Sequence, residues 1–352
     1  ISCRAAIIIK QEMLSKGGEA AVGRNVLSFE GETDVLLMGT IKQYKLLLEK
    51  LKRQPFGLKK LAGEIENILA GLERPVNNLS MAGGKSLTIG DRTLIMGILN
   101  ITPDSFSDGG KFFDKEKALK RAREMVEEGA DIIDVGGASS RPGSDMPGEK
   151  EELKRILPVV EKLAGEGMII SVDTFRGGVA RACLEAGAHI INDIGRLEMD
   201  PGLLPVLAEN QAPVILMHNR LQFDQGKPYE DLISDIAADL KDSVDKAKTA
   251  GLGEDKIIID PGVGFGKNTA QNRLIIKRLW EFKSLGFPVL LGASRKNFIG
   301  KTLGLEVDNR LEGSLAVVAM GIMNGANIVR VHDVKETKRV ASMIDAVMRE
   351  NG

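Results

Sequence analysis

Polar side chains end a series of short apolar runs in this 352-residue chain. They are Asn100, Asp173, Asn192, His218, Asp260, Ser294-Arg295-Lys296, and Arg330 with His332, while Gly137 leads into Ser139-Ser140-Arg141-Pro142-Gly143. Two carboxylates (Asp173, Asp260), an amide (Asn192) and an amine (Lys296) could clasp a flat heterocycle bearing several N–H donors and a carbonyl. A carboxylate accepts paired N–H bonds in a planar fork, and Lys donates to a carbonyl or ring nitrogen. Arg330 can lie over a ring face as well as carry charge. Asn100, Arg141 and His332 form a set suited to a phosphate or diphosphate with a divalent ion. Desolvating a polar group without a partner costs a few kcal/mol, so such a ring implies a polar ligand.

The elements that must position these groups repeat. From about residue 94 onward a β-branched run is followed by a polar loop and a charged amphipathic helix. The runs are 94–100, 131–137, 168–174, 189–195, 213–218, 256–262, 288–294 and 327–333, with helical patterns such as 115–128, 149–165 and 335–348 between or after them. Near-continuous Ile/Val/Leu runs suit strands buried on both faces, as in parallel sheets. Eight such units in roughly 260 residues predict a (β/α)₈ TIM barrel, whose chemistry sits at the C-terminal ends of its strands; the alternative, an open doubly wound sheet, rarely runs to eight such regular units in one domain. Strand alternation puts Arg330 and His332 on one side, and likewise Asn192 with Ile194.

Upstream, 86–95 reads as a hairpin turning at Gly90-Asp91 that could plug the barrel bottom, and 77–85 reads as a polar linker. Residues 1–76 form an accessory α/β segment with helices at 5–15, 41–51 and 58–72 and a strand at 33–39. It is short for an independent core, so docking on the barrel or a partner subunit is expected. The barrel with its hairpin then spans 86–352.

Each candidate has a bland alternative. Asp173 could cap the next helix and Asp260-Pro261-Gly262 could be only a turn. Arg141 could be a solvated loop charge. His189 starts its strand on the opposite face and reads as structural, whereas His218 stays open. Cys183 lies in a helix without electropositive neighbours and reads as unreactive.

Composition narrows the class. With 43% apolar and 28% charged residues and a net charge of −1, nothing points to nucleic acid or a membrane surface. Two cysteines cannot form a disulfide framework and suit a reducing cytoplasm. The start at Ile1 reads as a trimmed terminus rather than a secretory signal.

The segment Leu99-Asn100-Ile101-Thr102-Pro103-Asp104-Ser105-Phe106-Ser107-Asp108-Gly109-Gly110 resembles the first loop signature of the dihydropteroate synthases. Asp134-Val135-Gly136-Gly137-Ala138-Ser139-Ser140-Arg141-Pro142-Gly143 resembles the second. Ser171-Val172-Asp173-Thr174, Asn192-Asp193, Met217-His218, Asp260-Pro261-Gly262-Val263-Gly264-Phe265-Gly266-Lys267, Ser294-Arg295-Lys296 and Arg330-Val331-His332-Asp333 follow in order, so the likeness covers residues 86–350. The second loop departs at Ala138 and Ser140, where Glu and Thr are usual, and Asn297 stands where Ser is common, able to cap a helix or donate to a carboxylate.

The resemblance implies a transferase of folate biosynthesis. It would condense 6-hydroxymethyl-7,8-dihydropterin diphosphate with 4-aminobenzoate to give dihydropteroate and diphosphate. Asp173, Asn192, Asp260 and Lys296 would hold the pterin, walled by Ile194 and Met217, with Arg330 over its face. Asn100, Arg141 and His332 would take the diphosphate with Mg²⁺, Asn100 serving as metal ligand. Asn100, Arg141, Lys296, Arg330 and His332 are the expected catalytic set. Phe106, Ser140, Pro142, Phe265 and Asn297 are the aminobenzoate candidates, and loops 101–111 and 138–148 would order over the substrates. The family also implies a homodimer through the later helices and a sulfonamide target. A corrinoid-linked methyltransferase with a similar pterin clamp, or a binding-only relative, would have no use for the diphosphate set.

Overall fold

The structure, a computed structural model, describes residues 1–73, 77–101, 111–137, 147–220 and 228–350. The chain forms two compact units, Ile1–Arg74 grouped with Ser284–Gly286, and Pro75–Lys283 with Phe287–Gly352.

The first unit contains helices α1 (Cys3–Ser15), α2 (Ile41–Leu51) and α3 (Leu58–Glu73) and strands β1 (Glu19–Val22) and β2 (Val35–Met38). Local signals set its helix starts. Ser2 accepts from the amide of Ala5, and Thr40 with Gln43 forms a capping box. The strands pair antiparallel. The sequence reading missed β1, whose Glu-Ala-Ala-Val stretch has little β propensity of its own. The unit also has its own core of Ile9, Met13, Leu47, Leu48, Leu51, Leu58 and Leu69, correcting the expectation that the segment is too small for one.

In the larger unit the hairpin differs from expectation. Strand β3 (Asn77–Ser80), expected as linker, pairs antiparallel with β4 (Ser86–Ile89). The reversal lies between them, where Gly83 and Gly84 adopt φ of 69° and 73°, a conformation available cheaply only to glycine. Gly90-Asp91 is instead the passage into the barrel.

The barrel strands are β5 (Leu94–Asn100), β6 (Ile132–Gly136), β7 (Ile170–Asp173), β8 (Ile190–Asp193), β9 (Val214–Met217), β10 (Ile257–Asp260), β11 (Leu290–Leu291) and β12 (Ile328–Val331). They form one eight-stranded sheet in the order β10-β9-β8-β7-β6-β5-β12-β11, every pair parallel. An Ile259–Val289 bridge joins the two edges, so the eight runs close into a barrel as expected. Helices α4 (Lys111–Glu127), α5 (Glu149–Gly165), α6 (Gly177–Glu185), α7 (Leu203–Asn210), α8 (Leu232–Thr249), α9 (Thr269–Lys277), α10 (Asn297–Leu303), α11 (Leu311–Met323) and α12 (Val334–Arg349) follow the strands. No helix of the described residues is long and apolar enough to cross a membrane.

The barrel bottom is a closed apolar layer. Met96, Ile132, Ile190, Ile215, Ile258, Leu290 and Ile328 cluster with the hairpin residues Leu79, Leu87 and Ile89, so the hairpin serves as a plug. Because strand side chains alternate, the residues two positions further on face the same interior. They are Ile98, Asp134, Asn192, Met217, Asp260, Gly292 and Arg330. The site is therefore the layer above the apolar floor.

Candidate functional site

That layer is polar and connected. Arg330 on β12 donates through Nε to Asp134 Oδ2 on β6 at 2.5 Å and through Nη2 to Asp173 Oδ2 on β7 at 2.7 Å. Asn192 Nδ2 on β8 donates to the same Asp134 oxygen at 3.2 Å. The strand of Arg330 neighbours neither carboxylate's strand, since β5 separates β12 from β6 and β7; the bonds cross the barrel interior. Asp134 is fully buried and Asp173 nearly so, and side-chain exposure of Arg330 is 16%. Asp134 Oδ1 and the neighbouring Ser171 Oγ are buried with no hydrogen-bond partner, leaving polar capacity inside the barrel.

Asp260 and Lys296 complete the set. Asp260 Oδ1 accepts from the amide of Gly262 at 2.8 Å, so the turn reading holds for one oxygen. A Cβ on Gly292 would lie 3.8 Å from Asp260 Oδ2 and from Arg330 Cβ, so that glycine keeps the interior open between them. Lys296 Nζ donates to the Val263 carbonyl and lies 4.6 Å from the centre of the Phe265 ring. Helix α6 starts after Arg176, with Asp200 accepting from Gly177, so Asp173 is not its cap.

Charge in this layer is unbalanced. Among the described residues, Asp134, Asp173 and Asp260 face Arg330 and Lys296. Burial raises Asp173 to about 7, against the opposing pull of Arg330. Asp260 is also raised by burial, opposed by Lys296 and the Gly262 amide. Burial lowers Lys296 to about 8, with Asp260 pulling the other way. For Arg330 the carboxylates outweigh burial and hold it firmly charged.

Other expected residues are distributed around the mouth. Asn100 ends β5 and is half-buried. His332 follows β12, its Nδ1 3.1 Å from Ser294 Oγ. Ile194 and Met217 are buried. Asn297 is exposed and is not a helix cap; Lys296 occupies that position, and Asn297 Oδ1 accepts from Arg310. Phe106, Ser140, Arg141 and Pro142 lie outside the described residues. His189 is structural, its Nδ1 accepting from the amide of Ile170, and burial lowers it to about 4. Burial pushes the Cys183 thiol up to about 12, which makes it unreactive.

Sequence reasoning missed Asp134 as a site residue. The available signal was a lone carboxylate in an apolar run at the parity of Ile132. It also missed Asp193, which is buried and accepts from the amides of Gly195 and Leu197 at 2.7 and 2.6 Å, bracing the loop after β8. His218, left open, ends in a buried cluster with Asp239 and Lys267.

The chain is similar to known proteins over most of its length. Residues 96–332 match the family described as pterin binding enzyme. The dihydropteroate synthase of Bacillus subtilis is 48% identical over 268 residues, covering 76% of this chain and 93% of its own length. A dihydropteroate synthase structure from Clostridium difficile, solved in the presence of pteroic acid, superposes with a TM-score of 0.72 at 46% identity, over 74% of this chain and 99% of that one. A Haloferax volcanii protein named as a probable bifunctional folylpolyglutamate synthase/dihydropteroate synthase is 41% identical over 345 residues. That match takes in 95% of this chain but 41% of the relative, so it extends across the first unit. A family match over residues 96–332 and a relative 48% identical over 93% of its own length place the chain in the dihydropteroate synthase family of pterin-binding enzymes.

Proposed function

We propose that this barrel holds 6-hydroxymethyl-7,8-dihydropterin diphosphate in its interior layer and transfers the pterin methylene to the amino nitrogen of 4-aminobenzoate, releasing diphosphate. The observation that carries this reading is the linked set Asn192–Asp134–Arg330–Asp173, with Asp260 and Lys296 beside it. Asp173, Asp260 and Asn192 would take the N–H edge of the pterin, and Lys296 its carbonyl or ring nitrogen. Arg330, held at its edge by two carboxylates, has its plane fixed and can stack on the ring. Ile194 and Met217 would wall the slot.

Asn100, Arg141 and His332 would hold the diphosphate. Among the described residues no group of three His, Cys, Asp or Glu forms a metal cage. A neutral oxygen donor at Asn100 fits a Mg²⁺ carried mainly by substrate phosphates. When bound, the ion would neutralise charge on the leaving group. Donors fixed at the leaving group stabilise the charge that develops as its C–O bond breaks. An aniline-type amine is unprotonated at neutral pH, so attack needs no strong general base. Phe265, with Phe106, Ser140, Pro142 and Asn297, would border the aminobenzoate, and sulfonamides would compete there.

A homodimer is supported by the exposed Met320, Met323, Met343, Val347 and Met348 on α11 and α12, a grouping that favours a covered surface. Two free, buried cysteines support a cytoplasmic setting.

The test is diphosphate release by the purified protein with dihydropterin diphosphate, Mg²⁺ and 4-aminobenzoate, beside Asp173→Ala. Release that depends on 4-aminobenzoate and collapses in the variant is expected. Tight pterin binding without release would overturn the reading.

A further inference from the structure

A second buried polar set lies behind the clamp. Lys267 Nζ lies 2.9 Å from each of the Gly262 and Phe265 carbonyls and His218 Nδ1; burial pulls its pKa well down, with Asp260 pulling the other way, and as the ammonium it has one donor for each. The ionised Asp239 carboxylate can only accept, so Nε2–H of His218 donates to its Oδ2 at 3.0 Å, and burial keeps the ring neutral, which leaves Nδ1 to accept from Lys267. The same carboxylate oxygen accepts from Arg220 Nε at 2.9 Å and lies 3.1 Å from Arg196 Nη1 as an ion pair without a hydrogen bond. His218 is thus locked in one tautomer, facing a lysine on one side and a doubly paired aspartate on the other.

The segment that Lys267 grips has little stiffness of its own. Gly262, Gly264 and Gly266 adopt φ of 67°, 89° and 65°, and glycine carries no side chain to hold such a shape. Yet this segment packs directly against Lys296. The Val263 carbonyl accepts its ammonium, the Phe265 ring lies beneath it, and a Cβ on Gly264 would come within 2.7 Å of Lys296 Cδ. Asn272 secures the opposite side, its Oδ1 accepting from the Gly264 amide at 2.6 Å.

We propose that Lys267 is a positioning residue, whose ammonium curls residues 262–266 against Lys296 and so presents Lys296 and Phe265 to the substrates in a fixed relation. Lys267 acts through Lys296 and touches no substrate. The proposal rests on the synthase reading above.

The test compares wild type, Lys267→Met, Lys267→Arg, Lys296→Met and the double variant Lys267→Met/Lys296→Met. It measures kcat and both KM values by diphosphate release, with far-UV circular dichroism and thermal unfolding as fold controls. A misplaced active-site group costs on the order of tenfold to a hundredfold. Lys267→Met is expected to remain folded, lose about tenfold or more in kcat and raise KM for 4-aminobenzoate, with Lys267→Arg recovering part of both. Added to Lys296→Met, it is expected to cost less than about twofold, because residues acting as a unit are not additive. Unchanged kinetic constants with only a lower Tm would reduce Lys267 to a structural tie and overturn the proposal. Full multiplication of the two effects would overturn it as well. If Lys267→Met does not fold, Lys267→Gln carries the same comparison in both backgrounds, with the same expected and opposing outcomes. Wild-type protein without turnover would instead sink the synthase reading, a distinct result.

Discussion

Arg330 and Asp134, 196 positions apart in sequence, meet at 2.5 Å inside the barrel. Asp134 also accepts from Asn192, so one carboxylate orients both a cation and an amide of the clamp. Removing one partner of a buried pair leaves the other charge uncompensated, at a cost of about 3–5 kcal/mol. Asp134→Ala is expected to lower stability by about that amount, and Asp134→Asn by less, since it keeps shape and one acceptor. Both should weaken pterin binding. Chemical denaturation and pterin titration check this, and Asp134→Asn binding pterin like wild type would refute the orienting role.

Pterin affinity is expected to depend on pH within a narrow window. Asp173 accepts N–H bonds best when ionised, so binding should strengthen as pH rises through about 7. Lys296 donates its full set only when protonated, so binding should weaken above about 8. Asp173→Asn should remove the rising limb and Lys296→Met the falling one. Calorimetric titrations from pH 6 to about 9 would show both limbs or neither. The sign for stability is opposite for Asp173. Its folded value is raised, so the ligand-free protein loses stability from this group as pH climbs from its ordinary 3.8 to about 7.

Two glycines of similar φ should respond differently to alanine. Gly262 has φ of 67°, and a Cβ there would lie 1.8 Å from the His218 carbonyl oxygen. Gly304, at φ of 70°, has nothing within 4 Å of that position. Gly304→Ala should therefore cost only the left-handed penalty of about 1–2 kcal/mol. Gly262→Ala should cost about 3 kcal/mol or more and abolish turnover. Urea unfolding of the pair separates backbone strain from steric exclusion; equal costs would contradict the contact.

The exposed methionines on α11 and α12 give a test of association. Met343 and Val347 lie one helical turn apart on α12 and are 65% and 60% exposed. Met343→Glu combined with Val347→Glu should convert a dimer to monomer in sedimentation equilibrium with the barrel still folded. Unchanged mass would place the interface elsewhere.

The first unit has its own core, and the Bacillus subtilis relative matches over 93% of its length while covering 76% of this chain. A chain starting at residue 77 is therefore expected to fold and turn over. Loss of activity in a folded truncation, seen in steady-state assays, would give the first unit a part in catalysis.

The sequence by itself determined the eight-fold repeat and the C-terminal rim. β-Branched runs ending in Asp173, Asn192, Asp260 and Arg330 are local, periodic signals, and a parallel strand buried on both faces has few other readings. The helix caps Thr40/Gln43 and Asn268/Gln271 are equally local. What only the tertiary structure decided is partnership. Asp134 looks like an interruption in an apolar strand until barrel closure brings Arg330 across to it. Lys267 looks like a surface lysine until the glycine turns fold its ammonium back onto Gly262, Phe265 and His218. Strand β3 read as linker because its apolar residue Leu79 finds a partner only in the barrel floor. Spacing along the chain sets which way a side chain points, but only closure of the sheet sets what it meets, because those distances come from the summed geometry of every strand between.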